Sequence, residues 1–239
     1  MGLTLRRHVG DRTIVITCSD REDGDMAPLG RAVDLRRREL LPQVERWSWL
    51  HQVHGNTVHQ VDQSGSGLSL VEGQDGDALV ARTDTAYAAL AVQTADCVPI
   101  ALYGARTMAV AHAGWKGLVA GIVEASVESM RAAGEVGPIR AVLGPCIAVG
   151  AYEFGSTELD VMAERFGGAV IGRSAWDTPA LDMAEATRAA LSAAGARVDH
   201  VVGRCTGSDL RYFSFRTRQE TERMTTTIHW VPRHQATAT

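Results

Sequence analysis

His54 in QVHGN, Cys97 in TADCVP and His112 in AHAGWKG each stand where a stretch with strand character stops. A strand end holds a side chain rigidly and still leaves it at the rim of a core, within reach of a substrate. Two imidazoles and one thiolate are good ligands for Zn²⁺, and three protein ligands leave a fourth coordination position open, as catalytic zinc sites do. Water held in that position is a nucleophile near neutral pH. The same residues permit chemistry without a metal, with Cys97 as nucleophile, one histidine as its base and Asp96 as the group that orients the base. Each residue alone also has a plain structural reading: a single buried cysteine is usually filler, and a single strand-end histidine is usually a satisfied polar group. Spacing does not separate these readings, since all of them need only convergence in space.

The HAGWKGL stretch adds a glycine-bracketed step from strand to helix, which puts free backbone N–H groups and the positive end of a helix beside His112. A phosphate or carboxylate fits there with Lys116 as a point charge, although Gly114 and Gly117 also suit simple tight packing. YFSFRTR offers Arg216 and Arg218 after an aromatic segment read as a strand, and an arginine fork there can grip a phosphate or the edge of a ring. Cys146 in LGPCI reads as packing and not as a fourth ligand.

The elements that must position these residues follow from periodicity. RTIVITCS reads as a strand and AVDLRRRELLPQV as a helix closed at Pro42. WSWLHQVHGNTVHQVD reads as two short strands around a turn at Gly55 and Asn56, and SGSGLSL as a loop. The most apolar part of the chain predicts three strands, Tyr87 to Gln93, Val98 to Tyr103 and Met108 to His112. One helix is expected from Gly114 to a closing glycine at Gly134. A strand in IRAVLGPC, a helix in STELDVMAERFG with Ser156 as N-cap, an alanine-rich helix in DMAEATRAALSAAG and a strand in VDHVVG follow, before YFSFR and a polar tail. The fold class is α/β or α+β with a mixed sheet. A single domain over 1–239 is expected, with 234–239 a disordered tail.

Composition narrows the function classes. With 239 residues, 45% of them hydrophobic and 22% charged, the chain is long enough to bury one sizeable core. A formal charge of −4 supplies no excess of Lys and Arg to neutralise a run of phosphates, which argues against nucleic-acid binding. The opening residues lack an apolar leader, and no window approaches the roughly 20 apolar residues of a membrane span, so a soluble cytoplasmic protein is expected. Cysteines at 18, 97, 146 and 205 form no CxxC pair and read as reduced thiols.

Taken together, QVHGN, DALVA, TADCVPI, VAHAGWKGL, LGPCIAVGAYEFG and CTGSD…YFSFR resemble, in order, the YfiH family, also called the laccase-domain or polyphenol oxidase family. The matched segments run from about His51 to Arg216. The resemblance implies a single-domain layered α/β protein, a sandwich of mixed sheets flanked by helices. It implies Zn²⁺ held by His54, Cys97 and His112, which would then be the catalytic centre, with Asp96 supporting Cys97. It further implies phosphorolysis of adenosine, inosine, guanosine and S-methyl-5′-thioadenosine, together with hydrolytic deamination of adenosine. The partners would be a nucleoside and phosphate, with Lys116 and Arg216 as phosphate contacts, and the protein a monomer or weak homo-oligomer. Family members are also described as copper-dependent phenol oxidases and as cysteine-type amidases editing cell-wall precursors. Both stand as alternatives, beside a zinc-retaining protein that binds without turnover, and copper is the alternative metal. One Cys and two His are few ligands for a multicopper cluster.

The chain departs from the family pattern at TCSDREDGDMAPLG, where a double glycine is usual, and at DLRRREL, where an Asn-Arg pair is usual. Asp20 to Gly30 is therefore the segment expected to redirect or weaken activity. Lys116 also replaces the commoner arginine, exchanging a bidentate fork for a point charge.

Overall fold

The computed structural model describes residues 2–28, 32–44, 46–64, 67–69, 71–83 and 88–233. The expected tail at 234–239 lies outside them. In chain order the strands are β1 (Leu3–Val9), β2 (Arg12–Cys18), β3 (Arg46–His51), β4 (Val58–Ser64), β5 (Gly67–Ser69), β6 (Glu72–Asp75), β7 (Ala78–Arg82), β8 (Ala88–Thr94), β9 (Val98–Tyr103) and β10 (Thr107–Ala113). They continue with β11 (Ile139–Leu143), β12 (Ile171–Arg173), β13 (Pro179–Leu181), β14 (Ala196–Val201) and β15 (Met224–Pro232). The helices are α1 (Val33–Leu40), α2 (Trp115–Ala120), α3 (Ile122–Ala132), α4 (Ser156–Phe166), α5 (Met183–Ala193) and α6 (Phe215–Arg218).

Two mixed sheets stack face to face. One has the order β1-β2-β15-β8-β3-β6 and the other β14-β11-β9-β10-β7-β4-β5, while β12 and β13 form a separate hairpin. Every residue of β8, β9 and β10 is buried, because each sheet is covered on both faces there. Along β9 the alternation divides two cores: Ala101 and Tyr103 pack toward the six-stranded sheet with Ile16 and Leu90, and Ile100 and Leu102 pack toward α3 and α5. Helix α1 lies near the opposite outer side, where Leu40 and Leu41 meet Trp47 and Ala91. The layered α/β architecture expected from the sequence is present.

Five local expectations are corrected. The strands flanking Gly55 and Asn56 are not a hairpin: β3 pairs in parallel with β6 and β8, and β4 in parallel with β7, so the chain crosses between sheets at QVHGN. The helix expected from Gly114 to Gly134 is broken at Gly121, whose φ of 90° ends α2 and starts α3. Gly155, not Ser156, occupies the N-cap of α4, and residues 67–69 of SGSGLSL form β5. YFSFR is no strand; Ser214 caps the short α6, and β15 lies further on, between β2 and β8. Among the described residues no helix is long and apolar enough to cross a membrane.

Candidate metal centre

Two of the sheet-to-sheet crossings carry two of the three expected ligands. His54 lies on the β3–β4 crossing, Cys97 on the β8–β9 crossing, and His112 one residue before the end of β10. The ligand atoms of these residues lie within 4.8 Å of one another. Cys97 Sγ is 3.8 Å from His54 Nε2, and the two imidazole rings meet edge to face with centroids 4.7 Å apart. Ligands held about 2.0–2.3 Å from a zinc ion sit roughly 3–4 Å from each other, so a small inward closure suffices. Among the described residues this is the one group of three or more His, Cys, Asp or Glu side chains arranged to hold a metal. The donor set and the spacing fit a metal ion.

The backbone is bent to make this possible. His54 has φ 59° and Asp96 φ 93°, conformations that cost about 1–3 kcal/mol each unless their surroundings impose them. The imposing partners are buried carboxylates. Asp77, fully buried, accepts from the backbone N–H of His54 at 3.0 Å and of Gly55 at 2.7 Å, and from His112 Nδ1 at 2.9 Å. Asp96 accepts from Thr206 Oγ1 at 2.6 Å, Ser214 Oγ at 2.7 Å and Arg216 N at 2.7 Å. The expected support of Cys97 by Asp96 therefore runs through the backbone of the crossing. The carboxylate that touches a ligand ring is Asp77, which sequence reading passed over; its one signal is an acid directly before the apolar β7 in GDALVA. Gly114 is tied to the site as well, since a Cβ there would lie 2.6 Å from His54 Cδ2 and 3.2 Å from Cys97 Sγ.

The electrostatics favour a thiolate. Burial alone would push the Cys97 thiol up, but the adjacent His112 and hydrogen bonds from both imidazoles outweigh it and bring it to about 6. Burial likewise opposes charge on His112, while Cys97 and Asp77 hold its proton and move it upward. Burial keeps the thiols of Cys18 and Cys146 high, at about 11 and about 12. In metal-free protein carrying Cys205→Ser, iodoacetamide alkylates Cys97 with a rate that rises as pH passes through about 6, because only the thiolate reacts. Bound metal suppresses the reaction. A rate midpoint near pH 9, measured by mass spectrometry, would contradict the ion-pair geometry.

The two expected phosphate contacts lie at the ends of one aromatic chain. Arg216 is exposed, donates from Nη1 to Glu153 O at 2.9 Å, and lies 4.5 Å over the Tyr152 ring. Tyr152 meets Phe154, Phe154 meets Trp115, and the exposed Lys116 places Nζ 5.7 Å from the Trp115 ring. Arg218 is otherwise engaged: its guanidinium binds the carbonyls of Thr206, Gly207 and Tyr212 and the carboxylate of Glu220. Cys146 is a packing residue in the core beside the helices. In the atypical segment, Asp20 caps the turn Arg21–Asp23, and Arg21 binds Glu220 and lies over Phe213, tying the segment to the residues that flank α6, the helix that bears Arg216.

Residues 25–231 match the family model described as multi-copper polyphenol oxidoreductase laccase. A Pseudomonas aeruginosa protein named purine nucleoside phosphorylase is 36% identical over 214 residues, covering 83% of this chain and 80% of its own length. A Streptomyces griseus protein of the same name is 36% identical over 206 residues, covering 84% and 80%. Among solved structures, YlmD from Geobacillus stearothermophilus superimposes with a TM-score of 0.73 at 27% identity, over 92% of each chain. A Neisseria meningitidis DUF152 protein has the same fold at 24% identity, with a TM-score of 0.75 over 95% of this chain and 98% of its own.

Proposed function

The chain belongs to the multi-copper polyphenol oxidoreductase laccase family, and from that membership we propose a zinc-dependent purine nucleoside phosphorylase acting on adenosine, inosine, guanosine and S-methyl-5′-thioadenosine, with adenosine deaminase activity. The observation that carries the reading is the convergence of His54, Cys97 and His112 at the sheet crossings, in a chain whose relatives at 36% identity bear the phosphorylase name. Two imidazoles and one thiolate suit zinc, and a multicopper cluster needs more ligands than this group offers.

In phosphorolysis a phosphate oxygen bonds to the ribose C1′, the bond from C1′ to the purine nitrogen breaks, and the purine leaves with a proton. Zinc held by His54, Cys97 and His112 would supply a Lewis acid at this site. The chain's own groups position the reactants. Arg216 lies over the Tyr152 ring and commits Nη1 to Glu153 O, and its exposed guanidinium is the phosphate contact of this reading. Lys116 adds a point charge at the far end of the aromatic chain. Asp77 accepts the Nδ1 proton of His112 and so turns Nε2 toward the cluster.

A second reading has a specific observation behind it: Cys97, His112 and Asp77 form a thiol, imidazole and carboxylate sequence, the arrangement of a cysteine-type amidase. Adenosine incubated with and without phosphate, before and after exhaustive chelation, separates the two. The phosphorylase reading expects adenine only with phosphate, inosine without it, and loss of both on chelation, followed by chromatography. Hydrolysis of a cell-wall peptide amide that survives chelation would replace it with the amidase. Nucleoside binding with no product would replace it with a binding protein.

A further inference from the structure

One carboxylate holds both candidate histidine ligands. Asp77 Oδ1 accepts from His54 N at 3.0 Å and from His112 Nδ1 at 2.9 Å, and Oδ2 accepts from Gly55 N at 2.7 Å and Val53 N at 3.4 Å. Its main chain adds two more ties, from Asp77 N to Thr57 O at 2.9 Å and from His112 N to Asp77 O at 2.7 Å. An ionised carboxylate has about four lone-pair sites, and here four N–H groups meet them. A carboxylate with no exposed surface must be matched in this way, because an unpaired buried charge is strongly disfavoured.

We propose that Asp77 is the positioning residue of the metal centre, setting the tautomer of His112 and the inward turn of His54 together. The inference rests on the metal reading above. An ionised carboxylate only accepts, so Nδ1 of His112 carries the proton and the Nε2 lone pair faces His54 and Cys97. The three N–H groups of Val53, His54 and Gly55 wrap the same anion, and this holds His54 at φ 59° and delivers its ring to the site. Charge points the same way. A divalent ion with one thiolate and two neutral imidazoles leaves one positive charge, and Asp77 balances it one hydrogen bond away.

Asparagine at 77 cannot do both jobs. With its oxygen toward His112 and His54, its NH₂ faces the Gly55 and Val53 donors. Flipped, the NH₂ faces His112 Nδ1 and drives the imidazole proton onto Nε2, where the metal would bind. Asp77→Asn therefore weakens zinc binding by about 10–100-fold, the range for outer partners of metal-bound histidines, and lowers the melting temperature because its buried NH₂ faces backbone donors. The measurement is competition against a chromogenic chelator, for wild type and variant. In parallel, ¹⁵N NMR of histidine-labelled, zinc-loaded wild type shows His112 protonated at Nδ1 and metal-bound at Nε2. Zinc affinity of the variant within about 2-fold of wild type, well short of that range, overturns the inference, as does coordination of His112 through Nδ1. If the variant does not fold, the NMR result on wild type decides. A wild-type protein that takes up no zinc removes the metal reading, and the role of Asp77 with it.

Discussion

Gly114→Ala empties the metal centre and leaves the fold standing. The added methyl carbon would sit 2.6 Å from His54 Cδ2, 3.3 Å from His54 Nε2 and 3.2 Å from Cys97 Sγ. Real contacts of that kind do not reach 2.6 Å, so the His54 ring must swing away, and His54 has little freedom while Asp77 grips its backbone. The backbone of Gly114, at φ −76° and ψ 164°, is one that alanine adopts without strain. Chain entropy favours the substitution by about 0.4–1 kcal/mol, overpacking against His54 costs about 1–3 kcal/mol, and the balance leaves the protein folded. Zinc affinity falls by about 100-fold or more, the upper range for disturbed ligand support, and phosphorolysis falls with it. Elemental analysis, chelator competition and a thermal melt on one preparation read all three. Wild-type zinc affinity in Gly114→Ala would show that His54 does not bind the metal from its place beside Gly114.

Cys97→Ala has the larger effect on chemistry. It removes the one anionic donor among the three candidate ligands and leaves two imidazoles, one exposed and one buried. Catalytic zinc sites are held by three protein ligands, so the variant loses its metal on dialysis against a chelator. On the zinc-phosphorylase reading, Lewis-acid stabilisation worth several kcal/mol disappears with it, which corresponds to about 10²–10⁴ in rate. Cys97 lies at a crossing rather than in a core cluster, so its truncation leaves the melting transition close to wild type. The companion measurement is chelation and zinc repletion: wild type recovers phosphorolysis and Cys97→Ala does not. Wild-type turnover that is indifferent to chelation, with Cys97→Ala inactive, would instead identify the thiol as the nucleophile.

Several parts of this site were legible as sequence because they are local. The apolar runs at β8, β9 and β10 had to be buried on both faces, and His54, Cys97 and His112 had to stand near the ends of such segments. β15 was illegible for an instructive reason. Its run of Thr225, Thr226 and Thr227 reads as polar, yet all three are buried in the sheet, with hydroxyls bonded to Val92 O, Cys18 Sγ and Thr17 O. β-branched threonine suits a pleated strand, and its hydroxyl is tolerated only where a partner waits, which no local pattern reveals. YFSFR erred the other way: Tyr212 and Phe213 are buried, but against Met224 in a small cluster and not in a ladder.

The amino-acid sequence by itself determined the chemistry available to this protein: one cysteine and two histidines at strand ends, a glycine-flanked step after His112, and apolar segments that require layered packing. The tertiary structure alone decided that β3 and β4 belong to different sheets, that the crossings at His54 and Cys97 meet the end of β10, and that Asp77 binds two of these segments at once. The physical reason is that periodicity reports which face of a segment is buried, whereas strand pairing and the matching of a buried charge to its donors depend on residues far apart in the chain.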